Sequence, residues 1–110
     1  MTKKLIMFYG RECPHCKVML PLADRLSKEK KIKIEKIEVW HNEKNADKMR
    51  SFKDIIVPAC DGGGLCVPAF IEEKLKKAFC GEDTYEHLKN WAKNLKWTSI
   101  KKQKKQKLER

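Results

Sequence analysis

Cys13-Pro14-His15-Cys16 places two thiols three positions apart, a spacing at which one can attack a disulfide and the other can resolve the product. Only the thiolate is nucleophilic, so the surroundings of the pair decide its use. The apolar run 4–9 stops at Gly10, just before the pair, and reads as a buried strand. After the pair, Val18, Met19, Leu22 and Leu26 recur on one helical face. The cysteines therefore sit at a strand-to-helix turn. Unpaired backbone N–H groups and the positive end of the helix dipole there favour a thiolate. Cys13 is expected to cap the helix, to be the more exposed thiol and to attack. Cys16, one turn on, is expected to face inward and resolve. His15 can add a proton-dependent charge or a hydrogen bond to Cys13. Pro14 suits a first helical turn, where its missing N–H costs nothing.

The elements that must hold this turn can be read along the chain. The first helix is expected to run to about Lys30, with a kink at Pro21. Residues 32–40 are β-branched and strand-like, but Ile32 and Ile34 share one parity while Ile37 and Val39 share the other. That change of phase predicts a bulge near Glu35-Lys36 or a late strand start. Residues 42–55 are expected to be helical, with Asn42 or Asn45 as cap. Pro58, Cys60 and three glycines mark residues 58–64 as a loop. Val67-Pro68-Ala69-Phe70-Ile71 reads as a strand entered through a proline. A polar turn at Glu72-Glu73-Lys74 and a strand over 75–80 complete a hairpin. Gly81-Glu82-Asp83 ends it, and Asp83 or Thr84 caps a last helix through Leu95. The order strand, helix, strand, helix, strand, strand, helix predicts a right-handed βαβ unit followed by an antiparallel hairpin and a covering helix. The expected fold class is α/β, a four-stranded mixed sheet with helices on both faces, filling residues 1–97 as one domain.

A Cys-x-x-Cys opening the first helix, with Val67-Pro68 before the third strand, resembles the thioredoxin superfamily. The short plan, without an extra strand and helix at the N-terminus, is similar to the glutaredoxin branch. That resemblance implies thiol–disulfide oxidoreductase activity with Cys13 as nucleophile, Cys16 as resolving thiol and His15 tuning the thiolate. It implies a cis Pro68 against the active-site cysteines, and a Val67 backbone that hydrogen-bonds a bound peptide or glutathione. The Pro-His dipeptide is the one seen in periplasmic disulfide oxidases, whose nucleophilic thiol is unusually acidic. Met7 stands where thioredoxins bury an acid, as in glutaredoxins. By the same resemblance Arg11 stands in for a lysine that holds the glycine carboxylate of glutathione. Gly81 with Asp83 or Thr84 would hold its γ-glutamyl end, and Tyr9 is a further binding candidate. No bound cofactor is implied. Glutathione or a dedicated disulfide reductase would supply electrons, and protein or low-molecular-weight disulfides would receive them.

Other cysteines leave other readings open. Cys13 and Cys16 also fit half of a zinc site, and Cys60-Asp-Gly-Gly-Gly-Leu-Cys66 supplies a second pair, although five intervening residues are wide for a zinc knuckle. A metal or iron–sulfur binder using these cysteines is the alternative to the redox reading. Cys60 and Cys66 are also candidates for an auxiliary redox pair or a regulatory disulfide beside Pro68. Cys80, at a strand end, is expected to be core. His41 and His87 are expected to be solvated.

Charge gives less direction. The 110 residues carry a net charge of +11, and 37% are charged. Residues 98–110 contribute +5 of it, so much of the excess belongs to a lysine-rich segment expected to be a solvated, flexible tail. No interleaved aromatics accompany that segment, which disfavours a nucleic-acid partner. No apolar run approaches the roughly 18 residues of a membrane span, and the run 5–9 is too short for a secretory signal. The expected compartment is the cytoplasm, where cysteines serve chemistry more often than structure.

Overall fold

The computed structural model describes residues 3–60 and 64–95. The lysine-rich segment 98–110 and Trp97 lie outside the described residues. Strand β1 (Lys3–Tyr9) leads into helix α1 (Pro14–Lys30), and strand β2 (Ile32–Glu38) follows after one residue. That residue, Lys31, is left-handed at φ 53° and donates its N–H to the Ser27 carbonyl, which ends α1 tightly enough for β2 to return beside β1. Helices α2 (Glu43–Arg50) and α3 (Lys53–Ile56) come next, then a 3-10 turn (Val57–Ala59). The hairpin of β3 (Ala69–Glu72) and β4 (Lys77–Cys80) precedes helix α4 (Tyr85–Asn94).

The sheet order is β2-β1-β3-β4. Strands β1 and β2 are parallel, while β1–β3 and β3–β4 are antiparallel. This is the mixed four-stranded sheet expected from the sequence. Its two faces bury separate clusters. Leu5, Met7 and Phe70 meet Met19 and Leu26 of α1 and Leu88 of α4 on one side. Ile6, Phe8 and Ile71 meet Met49 of α2 and Ile56 of α3 on the other. A strand covered on both faces reads as a continuous apolar run, which explains residues 5–8.

Three local expectations change. The bulge in β2 is absent, because every residue from Lys3↔Ile32 to Tyr9↔Glu38 pairs in register. Ile32 and Ile34 pack with the α1 cluster, whereas Ile37 and Val39 pack with the α2–α3 cluster. The change of parity records which face is covered at each end of the strand. The helix expected over 42–55 is broken at Ser51-Phe52. The Ser51 hydroxyl donates to the Lys48 carbonyl at 2.5 Å, competing with the helical ladder, and Phe52 leaves helical geometry at φ −104°, ψ 16°. The break turns the Phe52 ring onto Phe8, 6.1 Å between centroids. Asn42 is the cap of α2, its side chain accepting the Asn45 N–H. Third, Glu72 belongs to β3 and is buried, its carboxylate accepting the Leu75 N–H at 2.8 Å to close the hairpin. Helix α1 is continuous through Pro21, which lies on its exposed side, where water can serve the Lys17 carbonyl that loses its partner.

Candidate active site

The β1–α1 turn places Cys13 at the N-cap of α1 and Pro14 at its first position. Gly10 ties both cysteines to the strand. Its carbonyl accepts the Cys13 N–H at 3.0 Å, and its N–H donates to Cys16 Sγ at 3.4 Å. A Cβ on Gly10 would lie 2.3 Å from two atoms of the Trp40 indole, so the ring can lie where it does only over a glycine. Cys16 is fully buried, as expected. Burial pushes its thiol up to about 12, with the Gly10 N–H pulling the other way.

Cys13 is the N-cap and the more accessible of the two thiols, as expected, but it is far less open than a helix terminus suggests. It is only 4% exposed and its side chain makes no capping hydrogen bond. The segment before Pro68 covers it instead, and its thiol points to the Val67 carbonyl, Sγ to O 4.0 Å. The Val67–Pro68 peptide is cis, as the resemblance implies, and Pro68 is buried. His15 also differs. Its Nδ1 pairs with Glu82 Oε1 at 2.7 Å, so its polar contact is to the β4–α4 loop and not to Cys13. The same loop touches the turn at two further points. The Gly81 N–H donates to the Pro68 carbonyl at 2.8 Å, and the Asp83 N–H to Met19 Sδ at 3.4 Å.

The remaining candidates are placed as follows. Tyr9 is half-buried against the α1 cluster. Arg11 extends its guanidinium into solvent near Glu12. Gly81 adopts φ +88°, which favours glycine, and lies beside Pro68. The Asp83 carboxylate is taken up by its own helix, pairing with His87 Nδ1 at 2.6 Å and accepting the Thr84 N–H, and these two contacts hold its pKa down. His87 and His41 are exposed, but each holds a carboxylate, His41 through Glu12 Oε1 at 2.6 Å.

Glu38 is the residue that sequence reasoning missed. Its carboxylate accepts N–H groups from His41 at 2.8 Å, Arg11 at 2.9 Å and Trp40 at 3.0 Å. Desolvation pushes the Glu38 carboxyl up, but those three donors outweigh it and hold the pKa below its usual value. Glu38 thereby fastens the turn before Cys13 to the end of β2 and sets Trp40 over Gly10. No motif marks it; the only signal is an acid at a strand end opposite Tyr9. Beside it an open groove of about 200 Å³ is lined by Val39, Trp40, Leu65, Cys66 and Val67, among others. Trp40 and Leu65 are large apolar side chains exposed there.

Cys60 and Cys66 form a disulfide with their Cα atoms 6.3 Å apart. Cys80 packs, partly buried, against the Ile6–Phe8–Ile71 cluster, so the core expectation holds in part, and its Sγ lies within 4.8 Å of both bridged sulfurs. Among the described residues, these three are the group of His, Cys, Asp or Glu side chains whose ligand atoms lie closest together, but with Cys60 and Cys66 bonded to each other only Cys80 keeps a thiol to offer a metal ion.

A βαβ unit, an antiparallel hairpin with cis-proline and a dithiol at the first helix define a thiol–disulfide exchange scaffold. The family model for thioredoxin matches residues 1–56, from β1 to the end of α3, just over half of the chain, and the chain belongs to the thioredoxin family. No curated protein matches it. Among the described residues no helix is long and apolar enough to cross a membrane.

Proposed function

We propose that this chain is a thiol–disulfide oxidoreductase of the glutaredoxin-like branch that works through Cys13 and Cys16. The observation that carries the reading is the Cys13 sulfur at the N-terminus of α1, 4.0 Å from the carbonyl of Val67, with Cys16 buried one turn behind it. The Cys13 thiolate attacks one sulfur of a substrate disulfide. A Cys13–substrate bond forms, the substrate bond breaks, and the departing thiolate takes a proton from water. Cys16 then loses its proton and attacks Cys13 Sγ, releasing the second substrate thiol. Two electrons pass to the substrate and the Cys13–Cys16 disulfide remains. Cys16 lies one turn deeper than Cys13 and burial holds its thiol protonated, so it meets the mixed disulfide from inside and does not compete for substrate.

The groove beside Val67 suits a peptide. Trp40 and Leu65 offer apolar contact, and the Val67 backbone offers hydrogen bonds. No bound cofactor takes part. Glutathione returns the pair to the dithiol, its glycine carboxylate meeting Arg11 and its γ-glutamyl end the Gly81–Asp83 loop; a dedicated reductase is the other source. The cytoplasm provides a glutathione poise of about −220 mV or lower. Reduction of a protein disulfide by wild type, Cys13→Ser and Cys16→Ser tests the reading. Loss of activity in Cys13→Ser is expected, and full activity there would overturn it. Equilibration of the pair with glutathione fixes the direction: about −120 mV marks an oxidant, and about −200 to −270 mV a reductant.

A further inference from the structure

Three of the five cysteines meet away from the Cys13–Cys16 turn, on the α3 side of the hairpin. Cys60 follows the 3-10 turn, its N–H donating to the Val57 carbonyl. Cys66 stands immediately before Val67. Cys80 ends β4, paired with Ala69, and its S–H points to the Ile56 carbonyl at 3.8 Å, toward the end of α3 from which Cys60 hangs. Cys60 and Cys66 are bonded to each other, and the Cys80 sulfur is within 4.8 Å of both. Cys60 is buried, whereas Cys66 and Cys80 are partly buried.

We propose that Cys60, Cys66 and Cys80 form a second thiol–disulfide exchange centre, in which the disulfide passes from Cys60–Cys66 to a pairing with Cys80. Cys80 gives its proton to water and attacks one sulfur of the Cys60–Cys66 bond. The new bond to Cys80 forms as the old one breaks, and the displaced sulfur leaves as a thiolate that takes a proton back from water. One S–S bond is lost and one gained, so the step needs no outside oxidant or reductant. The Cys80 sulfur starts within 4.8 Å of both bonded sulfurs, so the exchange asks for a change of side-chain rotamer, and a glycine-rich sequence joins Cys60 to Cys66. The exchange acts on the neighbour of Val67, whose carbonyl faces Cys13. The partner that Cys80 takes decides whether Cys66 stays bonded or is released beside the groove.

Trypsin makes the exchange readable. Cys60 and Cys66 fall in one peptide, 54–74, Cys80 in another, 78–89, and Cys13 with Cys16 in a third, 12–17. The oxidised full-length chain is incubated in a mixture of reduced and oxidised glutathione, quenched with acid, alkylated with N-ethylmaleimide and digested without reduction. Mass spectrometry is expected to find a disulfide joining 54–74 to 78–89 beside the bond internal to 54–74. Cleavage before Asp61 then separates Cys60 from Cys66 and identifies the sulfur attacked. Cys60→Ser and Cys66→Ser leave Cys80 as the only partner in the cluster, and at least one of them is expected to carry that bridge in most chains. Wild type in which Cys80 is always alkylated or capped by glutathione overturns the proposal, as does failure of both serine variants to bridge. The peptide 12–17 reports the Cys13–Cys16 pair separately, so a failure here leaves the reading of that pair untouched.

Discussion

The Gly10 N–H donates to Cys16 Sγ at 3.4 Å while the Trp40 indole lies against the Gly10 Cα. The glycine is therefore held from both sides, by the Cys16 thiol and by an aromatic ring. Gly10→Ala places a methyl group 2.3 Å from Cδ2 and Cε2 of the indole, so the ring or the strand end must move. Overpacking of this kind costs about 1–3 kcal/mol. The variant is expected to lose stability in that range by chemical denaturation and to reduce disulfides more slowly, because the donor to Cys16 shifts with the strand. In a cycle with Trp40→Ala the two losses should be strongly non-additive, since removing the ring removes the clash. Additive losses would place the cost of Gly10→Ala somewhere other than Trp40.

Cys16 makes a second prediction. Burial favours its neutral form and raises its pKa to about 12, from an ordinary 9.0. An acid whose pKa is raised by folding stabilises the fold fully below its unfolded value and loses that contribution as pH climbs toward the folded value. The reduced protein should lose stability between about pH 9 and 12. Tyr85 adds to the fall from about pH 10, because burial and its hydrogen bond to Glu29 raise its pKa to about 12 as well. Melting temperature against pH, compared between wild type and Cys16→Ala, isolates the thiol: the variant should keep only the Tyr85 part. In Cys13→Ser at pH 8, Cys16 should react with iodoacetamide at least about 100-fold more slowly than free cysteine, for want of thiolate and access.

Much of this arrangement is legible in the residues themselves. Pro14 after a glycine-ended apolar run marks the strand-to-helix turn, and Thr84 before Tyr85 and Leu88 marks the last helix; both rest on local backbone chemistry. Periodicity misleads where two layers of packing overlap. The parity change in β2 looks like a bulge because Ile32 and Ile37 serve opposite faces, which only the third dimension distinguishes. Position at a helix terminus likewise suggests an exposed Cys13, but the cover comes from Val67, 54 positions away. Glu38 and Cys80 escape for the same reason. An acid that gathers three backbone donors and a thiol beside a disulfide are defined by long-range neighbours, and neither carries a sequence signature.

The loop between β4 and α4 braces the active turn through Gly81–Pro68, Glu82–His15 and Asp83–Met19. Thr84 fixes the end of that loop, its hydroxyl accepting the His87 N–H at 3.1 Å. Thr84→Ala removes the cap and should cost about 1 kcal/mol, seen as a lower midpoint in urea. Thr84→Asp should restore most of the loss, because a carboxylate caps equally well and suits the dipole. A variant as stable as wild type would show that the three contacts hold the loop without the cap.

Glu38 gives a dependence on acid that reaches the turn before Cys13. Its carboxylate accepts three N–H groups that converge from the turn before Cys13 and from the end of β2. The pKa lies below the ordinary 4.5 because those donors favour the charged form by more than desolvation opposes it. A carboxyl depressed by folding contributes its stability above the unfolded value and loses it as pH falls through the folded one. Wild type should therefore exceed Glu38→Gln in melting temperature at pH 7, and the difference should shrink as pH falls below about 4.5. The amide presents one acceptor oxygen, so one or more of the Arg11, Trp40 and His41 donors loses its partner. Because Arg11 adjoins the Cys13 turn and Trp40 covers Gly10, the same variant should also reduce disulfides more slowly at pH 7. A melting difference that stays constant from pH 7 to pH 3 would show that Glu38 acts by shape and not by charge.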